Sequence, residues 1–127
     1  MKIADPTAKF GEDEASKYLT KLGYKIIERN FRKGYGELDI IAIDSSEGKG
    51  KEILVFVEVK TRRSNYFGTP LEAITYWKLK EIVKTAQFYK LLHPNLPDAL
   101  RIDAVSVKLL NLNEVESIEL TKNISGF

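Results

Sequence analysis

Two apolar segments of the chain carry charged residues at positions where a buried strand would carry apolar side chains. Glu58 and Lys60 interrupt the segment FVEVKTR, and Asp39 interrupts the segment GELDIIA. Because side chains alternate across a strand, Glu58 and Lys60 share a face with Phe56, whereas Asp39 shares a face with Ile41. An isolated charge at such a position is costly unless it is paired, hydrated or bound to a metal ion. These three residues are therefore the first candidates for a functional site.

The chemistry open to these side chains depends on whether they come together. If the two segments pair as an antiparallel hairpin through the polar turn SSEGKGKE, Asp39 lies near Glu58 and Lys60. Two close carboxylates repel each other, but a divalent cation removes that conflict, and oxygen ligands with retained waters suit Mg²⁺ or Mn²⁺. A lysine near a phosphate ester can orient or deprotonate an attacking water, or neutralise the charge that develops on phosphorus. We predict a metal site at Asp39 and Glu58, to which Glu12 could add a further carboxylate.

A simpler interpretation of the same charges is a solvated strand end. Glu58 and Lys60 alone could form an incidental ion pair, which is worth about 0 to 1 kcal/mol when exposed. Asp39 and Glu12, however, each interrupt an apolar stripe of their own element, which makes coincidence less plausible. Glu37 has a weaker claim, because an acid near a turn needs no special explanation.

Basic residues flank these acids along the chain, although a net charge of +2 does not by itself indicate a nucleic-acid-binding protein. Lysine and arginine supply sequence-independent affinity for phosphate groups. We expect five of them to contact nucleic acid: Arg32, Lys33, Arg62, Arg63 and Lys78. For Lys78 a second interpretation is equally supported, in which its stem packs on the core and its amine reaches water.

Aromatic residues lie before and within the start of the second predicted helix. Trp77, Tyr66 and Phe67 could stack on unpaired bases. An aromatic cluster beside a helix start is more often part of a core or an interface, so both interpretations stay open.

The elements that must position these side chains follow one another in a regular order. Asp5 and Pro6 begin a first helix that ends before Gly23, and strands follow at 24–30, 36–44 and 53–63. The last of these is apolar on both faces between Ile53 and Val59. Thr69, Pro70 and Glu72 form the predicted start of a second helix, whose inward stripe includes Ile74. A fourth strand at 99–110 and an edge strand at 117–124 complete the order. The sequence therefore predicts a sheet with helices packed against it.

Length and composition set limits on the class of protein. The chain has 127 residues, of which 43% are hydrophobic and 30% charged, and this fits one domain over residues 1–127. No apolar run approaches the roughly 20 residues that span a bilayer, and the N-terminus lacks the apolar region of a secretory signal. We therefore expect a cytoplasmic protein without membrane contact. The absence of cysteine excludes disulfides and thiolate metal sites.

The spacing of Asp39 and Glu58-Val59-Lys60 resembles the D…ExK core of the PD-(D/E)xK nuclease superfamily. More closely, the chain resembles the YraN family of small bacterial proteins, in Gly11-Glu12, GELDIIA, VFVEVKTR and RIDAV. The resemblance implies a restriction-endonuclease-like α/β fold, with a central mixed sheet of four to five strands flanked by helices in the order α-β-β-β-α-β(-β). It also implies that Asp39, Glu58 and Lys60 are the metal and catalytic positions, with Glu12 as an accessory acid. Leu38 stands where the proline of the superfamily motif would be.

Together, the residues and the resemblance predict a Mg²⁺- or Mn²⁺-dependent endonuclease that hydrolyses DNA, with branched and single-stranded DNA as candidate substrates. One alternative is a nucleic-acid-binding module on a nuclease fold with little or no catalysis. Another is a structural or protein-interaction domain whose acids are merely satisfied charges. The sequence leaves dimerisation undecided; a homodimer is one alternative, by analogy with resolvases of similar fold.

Overall fold

The computed structural model describes residues 5–34, 36–63 and 74–125. Within them the chain order is helix, three strands, helix and two strands, as predicted. The bounds are α1 Pro6–Lys21, β1 Lys25–Lys33, β2 Gly36–Asp44, β3 Ile53–Arg63, α2 Tyr76–Leu92, β4 Ala99–Asn111 and β5 Glu114–Thr121. Neither of these helices is long and apolar enough to cross a membrane.

The five strands form one sheet in the order β1-β2-β3-β4-β5. Neighbouring strands are antiparallel except β3 and β4, which are parallel because α2 carries the chain back between them. The predicted mixed sheet and the β2–β3 hairpin are therefore confirmed. Strand β3 lies in the centre, which explains its apolar run between Ile53 and Val59.

Each face of the sheet is covered by one helix. Ala15 and Leu19 of α1 pack on one face, in a cluster with Ile40, Val55 and Val57. On the other face α2 contributes a second set of buried side chains. That cluster contains Leu38, Ile41, Leu54, Phe56, Ile82, Ala86, Tyr89 and Ile102. The result is a three-layer α/β/α arrangement, consistent with a restriction-endonuclease-like fold.

The two helix starts differ in how well the sequence predicted them. Asp5 caps α1 as predicted, and its Oδ1 accepts a hydrogen bond from the Thr7 backbone N–H at 3.0 Å. The predicted cap of α2 at Thr69 lies outside the described residues, as do Pro70 and Glu72. The described helix begins at Tyr76, because Thr75 Oγ1 accepts a hydrogen bond from Lys78 N–H at 3.1 Å. The prediction that Ile74 lies within the helix is therefore wrong.

A buried polar network closes the end of the sheet opposite Asp39. Arg101 Nη2 lies 2.8 Å from Asp44 Oδ2, and its Nε donates to Asp103 Oδ1 at 2.8 Å. The Tyr24 hydroxyl donates to Asp103 Oδ2 at 2.9 Å, and Asn123 N–H donates to Asp103 Oδ1 at 3.0 Å. Both buried carboxylates here thus have fixed partners.

Candidate active site

The β2–β3 ladder stops just before the predicted site. Pairing runs from Asp44 and Ile53 to Ile40 and Val57. At the next position the Asp39 side chain takes over, since its Oδ2 accepts a hydrogen bond from the Val59 backbone N–H at 2.8 Å. A carboxylate therefore occupies the gap where the two strands separate.

The side-chain alternation of β2 breaks at the same point. Leu38 and Ile41 pack in the cluster against α2, whereas Ile40 packs in the cluster against α1. In β1, Asn30 lies opposite Asp39 between the partners of Ile40 and Leu38, and it has a φ of 57°. Asparagine tolerates this left-handed conformation better than most residues. Because Leu38 and Ile40 lie on opposite faces of the sheet, strict alternation does not hold at Asp39, which stands between them.

Glu58 is almost completely buried, with 4% of its surface exposed. Two ammonium groups approach the same carboxylate oxygen. Lys60 Nζ lies 3.4 Å from Glu58 Oε1, and Lys78 Nζ lies 4.0 Å from it. Of the two interpretations of Lys78, the structure places its amine at the predicted site.

Glu12 reaches the site from α1, on the other face of the sheet. The helix comes unusually close to β3, since a Cβ atom on Gly11 would overlap the Thr61 side chain. This close contact places the following residue, Glu12, at the edge of the site. Arg29 Nη2 lies 3.8 Å from Glu12 Oε1 and also contacts Asp13 Oδ1 at 2.9 Å.

A polar cleft of about 290 Å³ joins these groups. Six of the predicted site residues line it: Glu12, Asp39, Glu58, Lys60, Arg62 and Lys78. Arg32 instead lies 3.8 Å from Glu37 by its Nη2 and Oε2 atoms, and Lys33 Nζ lies 5.2 Å from the Phe88 ring centroid. Neither residue lines the cleft, and Arg63 is exposed at the end of β3.

Burial dominates the electrostatics of the acidic groups. It raises the pKa of Glu58 to about 7, with the Asp39 charge adding to the effect and Lys78 and Lys60 opposing it. Burial also raises the pKa of Asp39, against the lowering effect of the Val59 N–H. The pKa of Glu12 is raised by burial and then by Asp39. The folded protein thus holds three neighbouring carboxyl groups that resist ionisation.

Asp44 provides the contrast within the same strand. Burial acts to raise its pKa as well, but hydrogen bonds from Ser46 and Arg101 outweigh burial and hold the pKa at about 2. Asp44 is as buried as Glu58, at 2% exposure. The two carboxyls differ for two reasons: fewer protein atoms surround Asp44, which lies nearer the edge of the fold, and a hydrogen-bonded guanidinium and a backbone N–H compensate its charge, whereas the cations at Glu58 stand farther away. Insufficient compensation of buried charge is characteristic of functional sites.

The donor set is compatible with a divalent cation held by few protein ligands. Within residues 5–34, 36–63 and 74–125, no three His, Cys, Asp or Glu side chains form a metal-binding cluster. Asp39 and Glu58 nevertheless offer two carboxylates that line the same cleft. Mg²⁺ commonly takes one or two carboxylates and keeps several waters. The residues therefore fit Mg²⁺, and Glu12 lines the same cleft as a further carboxylate.

Some residues of the cleft were not selected from sequence. Glu37, given a weaker claim, lines the cleft and raises the pKa of Asp39. Thr7 and Thr61 also line it. A glycine directly before a carboxylate in a helix, as at Gly11, was the available signal for a close helix–strand contact.

Comparison with known proteins gives a consistent family match. The model of the family described as "Uncharacterised protein family UPF0102" matches residues 11–107. A UPF0102 protein of Clostridium botulinum (strain Hall) is 46% identical over 117 residues, covering 90% of this chain and 89% of that protein. A UPF0102 protein of Persephonella marina is 40% identical over 109 residues, covering 86% and 89%.

Proposed function

The chain belongs to the uncharacterised protein family UPF0102, the YraN family, and from that premise we propose that it is a divalent-metal-dependent nuclease that hydrolyses DNA phosphodiester bonds. One observation carries the proposal. Asp39 and Glu58 are held together in a buried gap with raised pKa values, beside two lysines and in a cleft open to solvent. The other buried carboxylates of the sheet have a guanidinium partner instead.

Asp39 and Glu58 would hold Mg²⁺ or Mn²⁺. When bound, such an ion polarises a phosphoryl oxygen and orients the reacting groups. The hydrogen bond from Val59 N–H fixes the position of the Asp39 carboxylate before any ligand arrives. This preorganisation is what electrostatic catalysis requires.

The two lysines divide the remaining work. Lys60 lies at the open side of Glu58, with 23% of its side chain exposed, where its ammonium can meet a phosphate oxygen or the attacking water. Lys78 approaches Glu58 from α2 and supplies a second positive charge at the cleft wall. Arg62 lines the same cleft and is placed to contact the neighbouring phosphate.

Three of the predicted basic contacts lie outside the cleft: Arg32, Lys33 and Arg63. They would contact phosphates further along the DNA. These contacts are sequence-independent, so the affinity for DNA should fall as salt concentration rises.

The test is cleavage of branched, single-stranded and duplex DNA in the presence of Mg²⁺ or Mn²⁺, with EDTA as the metal-free control. Asp39→Ala, Glu58→Ala and Lys60→Ala should each abolish product formation. Glu119→Ala, on an exposed position of β5, is the matched acid control and should cleave like the wild type. Equal product from wild type and Asp39→Ala would show that the activity is a contaminant.

The second candidate function is a nucleic-acid-binding module without catalysis. It is favoured by the basic side chains of Lys60, Arg62 and Lys78, which line the cleft and can bind phosphate groups without a metal ion. Salt-sensitive DNA binding that persists in Glu58→Ala, with no cleavage in either metal, would support this function over the first.

A further inference from the structure

The first turn of α2 presents two stacked aromatic rings to solvent. Tyr76 is 62% exposed and Trp77 is 76% exposed. Their ring centroids lie 5.3 Å apart and their planes differ by 9°. Lys80 Nζ lies 5.6 Å from the Tyr76 centroid and 5.7 Å from the Trp77 centroid. The pair is therefore an ordered, flat, cationic surface outside both hydrophobic clusters.

This aromatic pair borders the candidate active site. The next residue along the helix, Lys78, has its amine 4.0 Å from Glu58. A groove of about 450 Å³ lies along α2, lined by Trp77, Lys80, Glu81, Val83, Lys84 and Gln87. From Trp77 to Lys84 the helix rises roughly 10 Å at ~1.5 Å per residue.

We propose that the Tyr76–Trp77 pair is a stacking platform for an unpaired base, so that the substrate carries a single-stranded segment lying along α2 beside the cleft. The choice of nucleic acid as the ligand rests on the proposed function. Bases stack on aromatic side chains without regard to sequence, and lysines beside the rings bind the connecting phosphates. Lys80 and Lys84 stand at the required positions.

Duplex DNA does not account for the rings. In a duplex the base faces are already stacked on each other, and lysines alone suffice for phosphate contacts. A stacked and exposed indole–phenol pair adds affinity only for bases whose faces are free. The geometry thus separates single-stranded from duplex ligands at this surface.

Trp77 is the only tryptophan of the chain, so its fluorescence reports on this surface alone. The probe is an oligothymidylate of about 12 nucleotides, within the range of sites bound by single-strand-binding folds. Controls are a strand of the same length with abasic sites and a blunt duplex, all in EDTA. We expect quenching by the oligothymidylate and little change with either control. Equal quenching by the abasic strand or the duplex would overturn the inference.

Substitutions give a second, independent measurement by anisotropy of a labelled oligothymidylate. Trp77→Ala should weaken binding about 5- to 150-fold, which corresponds to the usual ~1 to 3 kcal/mol of a base–aromatic stack. Trp77→Phe should retain most of the affinity because it keeps a ring. Leu91→Ala is the matched control, since Leu91 lies on the same helix, is apolar and is 78% exposed. Unchanged affinity in Trp77→Ala refutes the platform.

The cleavage assay separates this inference from the proposed function. If the stacking signals appear but no DNA is cut in either metal, catalysis is refuted and the platform stands. If Trp77→Ala cuts single-stranded and duplex DNA at the wild-type ratio, the platform is refuted and the nuclease stands.

Discussion

Replacing Glu58 by glutamine tests whether the ionised carboxylate of this buried residue destabilises the folded protein. Burial raises its pKa from 4.5 to about 7, and each pKa unit corresponds to about 1.36 kcal/mol, so ionising it in the folded protein costs on the order of 3 kcal/mol. The neutral carboxyl does not carry this cost. Because the pKa of Glu58 is higher in the folded than in the unfolded protein, the stability that comes from keeping the carboxyl neutral is fully present below about pH 4.5 and is lost as pH rises through about 7. Wild-type protein should therefore lose stability over this window.

Glu58→Gln removes the titration while keeping the shape of the side chain. In EDTA at about pH 8 the variant should be more stable than wild type by on the order of 1 to 3 kcal/mol. The lower figure allows for the lost attraction to Lys60 and Lys78. At about pH 4 the two proteins should have equal free energies of unfolding. Urea unfolding followed by circular dichroism measures both values, and Glu119→Gln on exposed β5 is the control.

Divalent metal should reverse the difference in stability between wild type and Glu58→Gln at about pH 8. A ligand that binds only the folded state stabilises it, so Mg²⁺ should raise the stability of wild type at about pH 8 more than at pH 5, where protons compete for the carboxylates. Glu58→Gln should gain little. The reasoning is refuted if Glu58→Gln keeps the wild-type pH dependence, since the titrating group would then lie elsewhere.

Three further perturbations test other parts of the structure. Lys78→Met removes a cation 4.0 Å from Glu58, so the pH at which stability is lost should move upward, whereas Lys84→Met should leave it unchanged. Gly11→Ala introduces a methyl group against Thr61. The overpacking costs about 1 to 3 kcal/mol and is partly offset by about 1 kcal/mol of helix propensity, so the melting temperature should fall. Adding Thr61→Ala to this variant should recover part of the lost stability. Arg101→Met leaves two buried carboxylates without their guanidinium and should cost about 3 to 5 kcal/mol of stability. The rate of DNA cleavage per folded molecule, measured well below the melting temperature, should equal that of the wild type.

The order of elements could be predicted because its signals are local. Asp5 and Pro6 cap α1, and the apolar run of β3 marks a strand covered on both faces. The ends were less predictable: β1 was expected to end at Asn30 but continues to Lys33, because it pairs with β2 as far as Gly36. The start of α2 was misplaced because several threonines in this region can serve as caps.

The candidate site also has features that the sequence reveals and features that depend on packing. Charged residues inside apolar segments can be seen in a sequence, so Asp39, Glu58 and Lys60 were found. Regular alternation, however, cannot reveal that β2 turns over opposite Asn30, which allows groups from both faces of the sheet to meet at one gap. The position of the Lys78 amine likewise depends on how α2 packs against the sheet, which is set by contacts between distant parts of the chain.

Both helices meet the sheet where glycine and threonine touch. Gly11 of α1 lies against Thr61, and Gly36 of β2 lies against Thr85 of α2, with no room for a methyl group at either contact. A helix seated this closely cannot rock without overlap on one side and a void on the other. The two helices, α1 and α2, are therefore held at a fixed spacing on either side of the cleft. Under the proposed function, the bending and unstacking needed for a fit would have to come from the nucleic acid, and its deformability would govern which substrates are selected.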